Sequence, residues 1–211
     1  MKNKKEVFTL ILLTGLFSCK AQQTTGIASL YQMEQCSKRQ DKTVECPGFE
    51  NIEVTHVKDT GNRLNVFEGT WKGSYSGKQI ELNLVKKIDF DNYDIKWDQL
   101  NGKIRVKDSQ GNILLDSFSN PDIDANPYGY NFQGAEYVMR FTANSKCFDE
   151  GKIFLQVQQV GINNSNPPQL QVVFIKATGV GTASELAAYC PNYATYQTML
   201  PHNAKVFLTK Q

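Results

Sequence analysis

The stretch Asn65-Val-Phe-Glu-Gly-Thr-Trp-Lys-Gly-Ser-Tyr-Ser-Gly-Lys-Gln-Ile-Glu-Leu-Asn-Leu-Val85 decides the fold. It predicts two antiparallel strands joined by a two-residue turn at Ser76-Gly77. With that turn, Trp71 lies opposite Leu82, and the apolar residues of the two strands share one face. The other face carries charged and polar residues, which is the pattern of a sheet with one buried side.

Further strands follow along the chain, separated by turn residues. The eight predicted strands are 66–75, 78–88, 96–107, 112–118, 135–142, 152–160, 168–177 and 204–209. Eight strands close a small barrel around side chains or one small ligand. We therefore predict an all-β, antiparallel, up-and-down, eight-stranded lipocalin-like barrel, with a short helical excursion before the last strand. An open two-sheet sandwich is the alternative.

Two later strand pairs also have a favoured register, because apolar residues pair with apolar residues and opposite charges pair together. The predicted facing pairs are Val106–Leu115, Arg105–Asp116, Leu155–Val172 and Val157–Leu170. In the second of these strand pairs, glutamines face glutamines on the other side. The face that turns inward decides whether the interior is apolar or lined by amides.

Two sequence patterns resemble known families. Phe67-Glu-Gly-Thr-Trp-Lys72 resembles the Gly-X-Trp opening of lipocalin-type barrels, in which the tryptophan plugs the closed end. Val57-Lys-Asp-Thr-Gly-Asn-Arg-Leu-Asn-Val-Phe-Glu-Gly-Thr-Trp-Lys72, with Leu200-Pro201 and Phe207–Gln211, is similar to a family of short lipoproteins of the Bacteroidota with a domain of unknown function.

The resemblance implies a cell-envelope location and a barrel-like fold, without catalytic residues. The resemblance to lipocalin-type barrels also implies that Trp71, on the same face as Gly69 and opposite Leu82, plugs one end of the barrel. Two features depart from the family: the four cysteines of the mature chain and the segment 178–199.

The amino terminus predicts a lipoprotein signal peptide over residues 1–18. A basic start precedes the apolar Val7–Phe17, which is too short to span a bilayer. Leu16-Phe-Ser-Cys19 looks like the lipobox of bacterial lipoproteins, so Cys19 is the predicted lipidation site, with ordinary secretory cleavage as the alternative. We expect the mature chain to be anchored to a membrane through its acyl chains.

These boundaries divide the mature chain into three parts. We predict a lipid-anchored tether over 19–26, an N-terminal extension over 27–64 and a lipocalin-like barrel domain over 65–211. The tether carries no acidic residue after the cysteine, whereas surface-exported lipoproteins of these bacteria tend to carry them. The expected location is therefore the outer membrane, facing the periplasm.

Four cysteines remain once Cys19 is lipidated, and an even number in an exported protein indicates two disulfides. A metal site is the rival, but no pair has Cys-X-X-Cys spacing. Cys36 and Cys46 lie together before the barrel, while Cys190 ends the helical part of the excursion (residues 178–199) and Cys147 follows a strand. We predict the pairs Cys36–Cys46 and Cys147–Cys190, the second fixing the excursion to the barrel rim.

Composition argues against several classes of function. The chain has 211 residues, 40% of them hydrophobic, and a net charge of +2, without a basic stripe for nucleic acid. The two histidines, His56 and His202, lack metal-ligand spacing, and no Gly-X-Ser-X-Gly elbow is present. We predict that the protein is not an enzyme and has no catalytic residues, metal or cofactor.

Several polar loops share part of the pattern of a known binding site. Two of them lack residues that a calcium loop or a P-loop needs. Asp122-Ile-Asp-Ala-Asn126 has the alternating oxygen donors of a calcium loop, but Pro127 and Gln133 stand where glycine and glutamate are needed. Asp89, Asp91, Asp94 and Asp98 form a second acidic group. The glycines of 178–184 lack the lysine of a P-loop and indicate a hinge.

Five aromatic residues near these acidic loops form a possible ligand rim for a sugar or a lipid headgroup. They are Tyr93, Trp97, Tyr128, Tyr130 and Phe132. Packing against neighbouring apolar surface is the alternative.

The predicted function is that of a membrane-anchored lipoprotein that binds a small hydrophobic or amphipathic ligand in its barrel. The alternative is an interaction or inhibitor module of the cell envelope, which docks a protein through loops 89–98, 119–134 and 178–199 and has a filled barrel. A cavity of ~300–1,000 Å³ favours ligand binding, and a filled core favours the interaction module.

Overall fold

The computed structural model describes residues 26–37, 54–90, 95–159, 167–178 and 183–211, the last range with side chains from residue 186 onward. The strands are β1 (Ile27–Ser29), β2 (His56–Lys58), β3 (Gly69–Tyr75), β4 (Lys78–Phe90), β5 (Lys96–Lys107), β6 (Ile113–Asp116), β7 (Tyr128–Gln133), β8 (Glu136–Asn144), β9 (Asp149–Gln158), β10 (Gln169–Lys176) and β11 (Lys205–Lys210). The helices are α1 (Leu30–Ser37) and α2 (Ala183–Tyr189), and short 3-10 turns lie at Asn65–Phe67, Asp122–Asp124 and Ser145–Cys147.

Eight of these strands close an antiparallel barrel. Their order is β5, β4, β3, β11, β10, β9, β8 and β7, and β7 returns to β5 where Tyr128 pairs with Asn101. The two helices are short and the rest of the regular structure is β. The predicted all-β, eight-stranded, lipocalin-like barrel is therefore confirmed.

One predicted barrel strand was wrong. The segment 112–118 does form a strand, β6, but β6 pairs with β5 alone and lies off the closed path. The eighth barrel strand is β7, which lies in the segment 119–134 that the sequence predicted as a loop. Tertiary packing selects this strand: Gly129 sits so close to the Tyr137 hydroxyl that a Cβ there would collide with it.

The closure between β5 and β7 is narrow and uses backbone and side-chain bonds together. Gly102 N donates to Pro127 O at 2.7 Å, and Asn126 N donates to Gly102 O at 3.0 Å. The Leu100 N–H donates to the Tyr137 hydroxyl oxygen at 3.2 Å. The buried tyrosine therefore supplies an acceptor where the strand ladder is incomplete.

The predicted registers are confirmed at each of the three strand pairs. The observed facing pairs include Trp71–Leu82, Tyr75–Lys78, Val106–Leu115, Arg105–Asp116, Leu155–Val172 and Val157–Leu170. Leu155, Leu170 and Val172 are buried in the core, so the apolar face of β9 and β10 turns inward. The glutamines that face one another lie on the opposite side of these strands.

Large side chains fill the space between the two ends of the barrel. Trp71, Tyr137, Phe141 and Phe174 are each at most 1% exposed. The rings of Phe141 and Phe174 meet edge to face with centroids 5.5 Å apart, a favourable aromatic geometry. Between its ends, the described interior is a packed core.

The residues before the barrel complete one of its ends, which we call the α1 end. β1 pairs with β2, and β2 pairs with β5, in parallel. Arg63 donates to Glu34 of α1 at 2.6 Å and to Gly134 O at 2.8 Å, and its guanidinium lies 3.8 Å from the centre of the Phe132 ring. Residues 26–37 and 54–67 thus pack as part of the same sheet and core.

The opposite end, which we call the mouth, is formed by turns and by the excursion. The Ser76-Gly77 turn, the 3-10 turn Ser145–Cys147 and the segment 190–201 all lie at this end, because the strands between them run antiparallel. A fully buried Asp149 begins β9 here.

Candidate functional site

A cleft of about 340 Å³ opens at the mouth. The β3–β4 hairpin forms one wall and the returning part of the excursion forms the other. The lining residues are Tyr75, Ser76, Lys78, Ile80, Tyr196, Gln197, Thr198, Met199 and Pro201. The cleft thus combines apolar side chains with hydroxyl groups, an amide and a single ammonium group.

Lys78 is the only one of these lining residues whose side chain is charged at neutral pH. Its ammonium group donates to the backbone carbonyls of Thr198 at 2.8 Å and of Met199 at 3.4 Å. Burial lowers the pKa of Lys78, and the nearby Asp149 opposes that shift. The lysine therefore holds the far wall of the cleft and brings a positive charge to it.

Asp149 supports the same wall from behind. One carboxylate oxygen, Oδ2, accepts hydrogen bonds from the Met199 N–H at 2.8 Å and from the Tyr196 hydroxyl at 3.0 Å. The other oxygen, Oδ1, has no hydrogen-bond partner among the described residues. Burial raises the pKa of Asp149, against the lowering effect of the two donors. Burial and the neighbouring Asp149 carboxylate raise the pKa of Tyr196 to about 12.

The predicted Cys147–Cys190 disulfide is confirmed, with the two Cα atoms 4.8 Å apart. It joins the turn before β9 to the residue that follows α2. The excursion is therefore fixed at Cys190 by a covalent bond and at Met199 by Asp149. Farther on, the Lys176 N–H donates to His202 Nδ1 at 3.0 Å, which ties the returning chain to β10.

Other predicted cysteine positions are only partly visible. Cys36 is disulfide-bonded, and its predicted partner Cys46 lies outside the described residues. The predicted lipidation site Cys19 and nearly all of the tether 19–26 also lie outside them. Within the described ranges, no helix is long and apolar enough to cross a bilayer.

Trp71 is completely buried, as its predicted position opposite Leu82 requires. Its indole N–H donates to the Phe67 carbonyl at 2.7 Å, and the Lys210 ammonium lies 5.3 Å from the ring centre. Gly69 has φ +120, and a Cβ there would lie 3.0 Å from the Lys210 side chain. The role of Trp71 as a plug stays a prediction.

The four described members of the aromatic set predicted as a ligand rim differ in their surroundings. Phe132 is in the core, and Trp97 is half-buried on β5. Tyr128 and Tyr130 lie beside Arg140, with its guanidinium 5.9 Å and 5.2 Å from their ring centres. Tyr93 lies outside the described residues. None of the four that are described lines the mouth cleft.

Two of the acidic residues weighed as calcium ligands, Asp98 and Asp122, have structural partners. Asp98 accepts the N–H groups of Asp59 at 2.9 Å and of Asp89 at 3.0 Å. Asp122 pairs with Lys87. In the part of the chain that the structure describes, no three His, Cys, Asp or Glu side chains come together in a way that could hold a metal ion.

Parts of the second acidic group and of the predicted glycine hinge lie outside the described residues. Asp91 and Asp94 are not described, and neither are residues 179–182 of the predicted glycine hinge. His56 is described and lies 3.9 Å from the Asp89 carboxylate, away from the mouth.

Sequence reasoning missed the charged residues of the mouth. The signal for Lys78 was present, because the predicted register puts Lys78 on the same face as Ile80 and Leu82, and that face is buried. Asp149 had no comparable signal, since it stands at the start of a strand beside a turn. No protein-family model, no curated protein and no solved structure matches the chain.

Proposed function

We propose that this protein is a lipid-anchored component of the bacterial cell envelope whose barrel binds a small amphipathic ligand at the mouth. The observation that carries the proposal is the mouth cleft, because its volume of about 340 Å³ falls in the range of ligand pockets. Ile80 and Met199 give the cleft an apolar wall on which a ligand can pack, and Lys78 gives it a group for a polar contact.

The packed interior moves the expected ligand position from the depth of the barrel to its end. Trp71, Phe141 and Phe174 occupy the space that a deeply bound ligand would need. A ligand at the mouth can bury part of an apolar chain against Ile80 and keep its polar end near Lys78.

The anchor proposal is supported by the sequence pattern around Cys19. Gly26 lies at the α1 end, where its carbonyl accepts the N–H groups of Thr55 and His56. A chain held to the membrane through Cys19 would therefore enter the barrel domain at the α1 end.

The packed interior also favours the second candidate, an interaction module that docks a protein partner through its rim loops. A protein partner and a small ligand differ by mass, so one measurement separates them. We suggest native mass spectrometry of the protein extracted from its own membrane in a mild detergent. Ligand binding predicts a releasable mass of a few hundred daltons, the size of ligand that such pockets hold. A stoichiometric protein partner without such a mass would favour the interaction module.

Two matched variants locate the bound mass. Thr198→Trp places an indole at a residue that lines the cleft, whereas Thr195→Trp changes an exposed residue of the same segment that does not. We expect the first variant to lose the ligand and the second to keep it. Retention by both variants would place the ligand elsewhere and contradict the proposal.

The anchor is tested by Cys19→Ser, since acylation needs the thiol. We expect the variant to move from the membrane fraction to the soluble periplasmic fraction. Continued membrane association of the Cys19→Ser variant from which residues 1–18 have been removed would exclude Cys19 as the anchor.

A further inference from the structure

The mouth cleft carries positive charge and no negative charge on its described lining. Its ionisable residues are Lys78, Tyr75 and Tyr196. Tyrosine hydroxyls stay protonated at neutral pH, and the pKa of Tyr196 is raised further, to about 12. A ligand in this cleft therefore meets one ammonium group together with neutral hydrogen-bonding groups.

Lys78 differs in its partners from Lys72 and Lys86, two other lysines of the same hairpin. Lys72 lies 3.1 Å from a carboxylate oxygen of Glu81, and Lys86 lies 2.9 Å from one of Asp59. The Lys78 ammonium instead bonds two neutral backbone carbonyls and has no carboxylate within ion-pair distance in the described ranges. Two carbonyls satisfy two of its three donors and leave its charge uncompensated at short range.

Asp149 is the acidic group behind this wall, and it is not among the residues that line the cleft. Its Oδ2 is occupied by Met199 and Tyr196. The same carboxyl also interacts with a second lysine, Lys176, on β10. Asp149 thus acts on Lys78 and Lys176 together, and it does so from outside the lining of the cleft.

We infer that the ligand of the mouth cleft is an amphiphile with an anionic head group, carboxylate or phosphate, and that Lys78 binds that head group. The inference rests on the proposed ligand-binding function. The head group accepts a hydrogen bond from the third N–H of the Lys78 ammonium. The apolar tail packs on Ile80 and Met199. A charge-assisted bond in this partly buried place distinguishes an anion from a neutral alcohol of equal length.

The test compares probes that share a tail and differ in the head group. Dodecanoate, dodecyl phosphate and dodecyltrimethylammonium are titrated below their micelle concentrations by calorimetry, and dodecanol is titrated below its solubility limit. The full chain with Cys19→Ser is used, because an acylated chain needs detergent that competes with the probes. A hydrogen bond to a charged group corresponds to about tenfold or more in affinity, so the anionic probes should bind at least that much tighter than dodecanol.

Three substitutions assign the preference to Lys78. Lys78→Gln keeps a donor for the Thr198 carbonyl without the charge, and it should bind dodecanoate no tighter than dodecanol. Lys78→Arg keeps the charge and should keep the preference. Lys72→Met removes a lysine on the outer face, which pairs with Glu81, and should change nothing.

The outcomes separate the inference from the proposed function. Equal affinity for charged and neutral probes, tighter binding of the ammonium probe, or a preference that survives in Lys78→Gln would overturn the anionic assignment and leave ligand binding intact. Loss of the preference in Lys78→Arg as well would show that the ammonium holds the wall without binding the head group. Absence of binding for all four probes, with no bound mass in the membrane-extracted protein, would overturn the proposed function itself. The ratio between dodecanoate and dodecyl phosphate distinguishes a carboxylate ligand from a phospholipid-type one.

Discussion

Removing the side chain of Trp71 tests the packing on which the barrel depends. Trp71 is fully buried on β3, and its indole N–H donates to the Phe67 carbonyl at 2.7 Å. Trp71→Ala deletes a large buried aromatic group, for which ~3–5 kcal/mol is the usual loss of stability. It also leaves the Phe67 carbonyl without this donor, which adds about 1 kcal/mol. We expect a total near the upper end of that range, a large share of the ~5–15 kcal/mol that holds a domain folded.

Trp71→Phe separates the two contributions. Phenylalanine keeps an aromatic ring in the core but cannot donate to Phe67, so we expect it to cost about 1–3 kcal/mol. Stability is measured by urea unfolding monitored by circular dichroism. The sequence has two tryptophans, so Trp97 remains as a fluorescent reporter in both variants.

Burial is checked independently with Trp97→Phe, in which all tryptophan emission comes from Trp71. We expect this emission to be shifted to short wavelength and protected from iodide until the protein unfolds. Free quenching of Trp71 in the native state, or a cost below about 1 kcal/mol for Trp71→Ala, would refute the packing argument.

Two further predictions concern the mouth. Asp149→Asn keeps an acceptor for the Met199 N–H and removes a buried charge, so it should be about 1–2 kcal/mol more stable than Asp149→Ala at pH 7. Because burial raises the folded-state pKa of Asp149 above its ordinary 3.8, the contribution of Asp149 to stability should fall as the pH rises from about 4 through that raised pKa. The Asn variant should lack this part of the fall, and urea midpoints from pH 4 to 8 would reveal an unchanged pH profile if the reasoning is wrong. Replacing Cys147 and Cys190 with Ser removes a link of sequence separation 43, for which loop entropy predicts a cost of up to about 4 kcal/mol. Hydrogen exchange should rise in 190–199 first, and exchange that is unchanged there would contradict the proposed fixing of the excursion.

The strand registers were predictable because apolar and polar residues alternate along these strands, and few pairings place all the apolar residues on one face. On β3 and β4 a shift of one residue would put Trp71 and Leu82 on opposite faces of the sheet, so the hydrophobic pattern and the turn specify the same pairing. Arg105 and Asp116 add opposite charges at one facing pair, and their side chains bond at 2.9 Å. Local pattern and tertiary structure agree at these strands.

The strand β7 was not predictable in the same way. Its pairing with β8 is irregular between Gly129 and Asn131, so the inward positions do not keep a period of two. β6 has a better strand pattern, yet Ile113 and Leu114 are 58% and 41% exposed outside the barrel. Strand propensity predicts that a segment is extended, but the edge that it joins depends on contacts distant in sequence.

The site shows the same division between local and distant information. Lys78 belongs to the hairpin that decides the fold, so its inward position followed from the register. The role of Asp149 depends on hydrogen bonds from Met199 and Tyr196, which lie fifty and forty-seven residues away along the chain. No short sequence window contains both sides of that contact.

The turn that sets the barrel register also sets the position of Lys78. Ser76 and Gly77 both have positive φ, 49° and 78°, as a tight hairpin turn with the right-handed strand twist requires. Tyr75 then faces Lys78 across the turn. Since side chains alternate along a strand, the ammonium group and the apolar Ile80 two residues later share the inward face.

A slip of one residue in this pairing would turn Lys78 outward and bring Gln79 to the cleft, while Ile80 and Leu82 would leave the core. The free energy that rejects the slipped register comes from the buried apolar residues, at ~1.5–3 kcal/mol for each side chain. The charge of the cleft is therefore held in place by hydrophobic burial farther along the same strand. The position of the proposed site is therefore fixed by the core pattern of the hairpin and does not need a recognisable site motif.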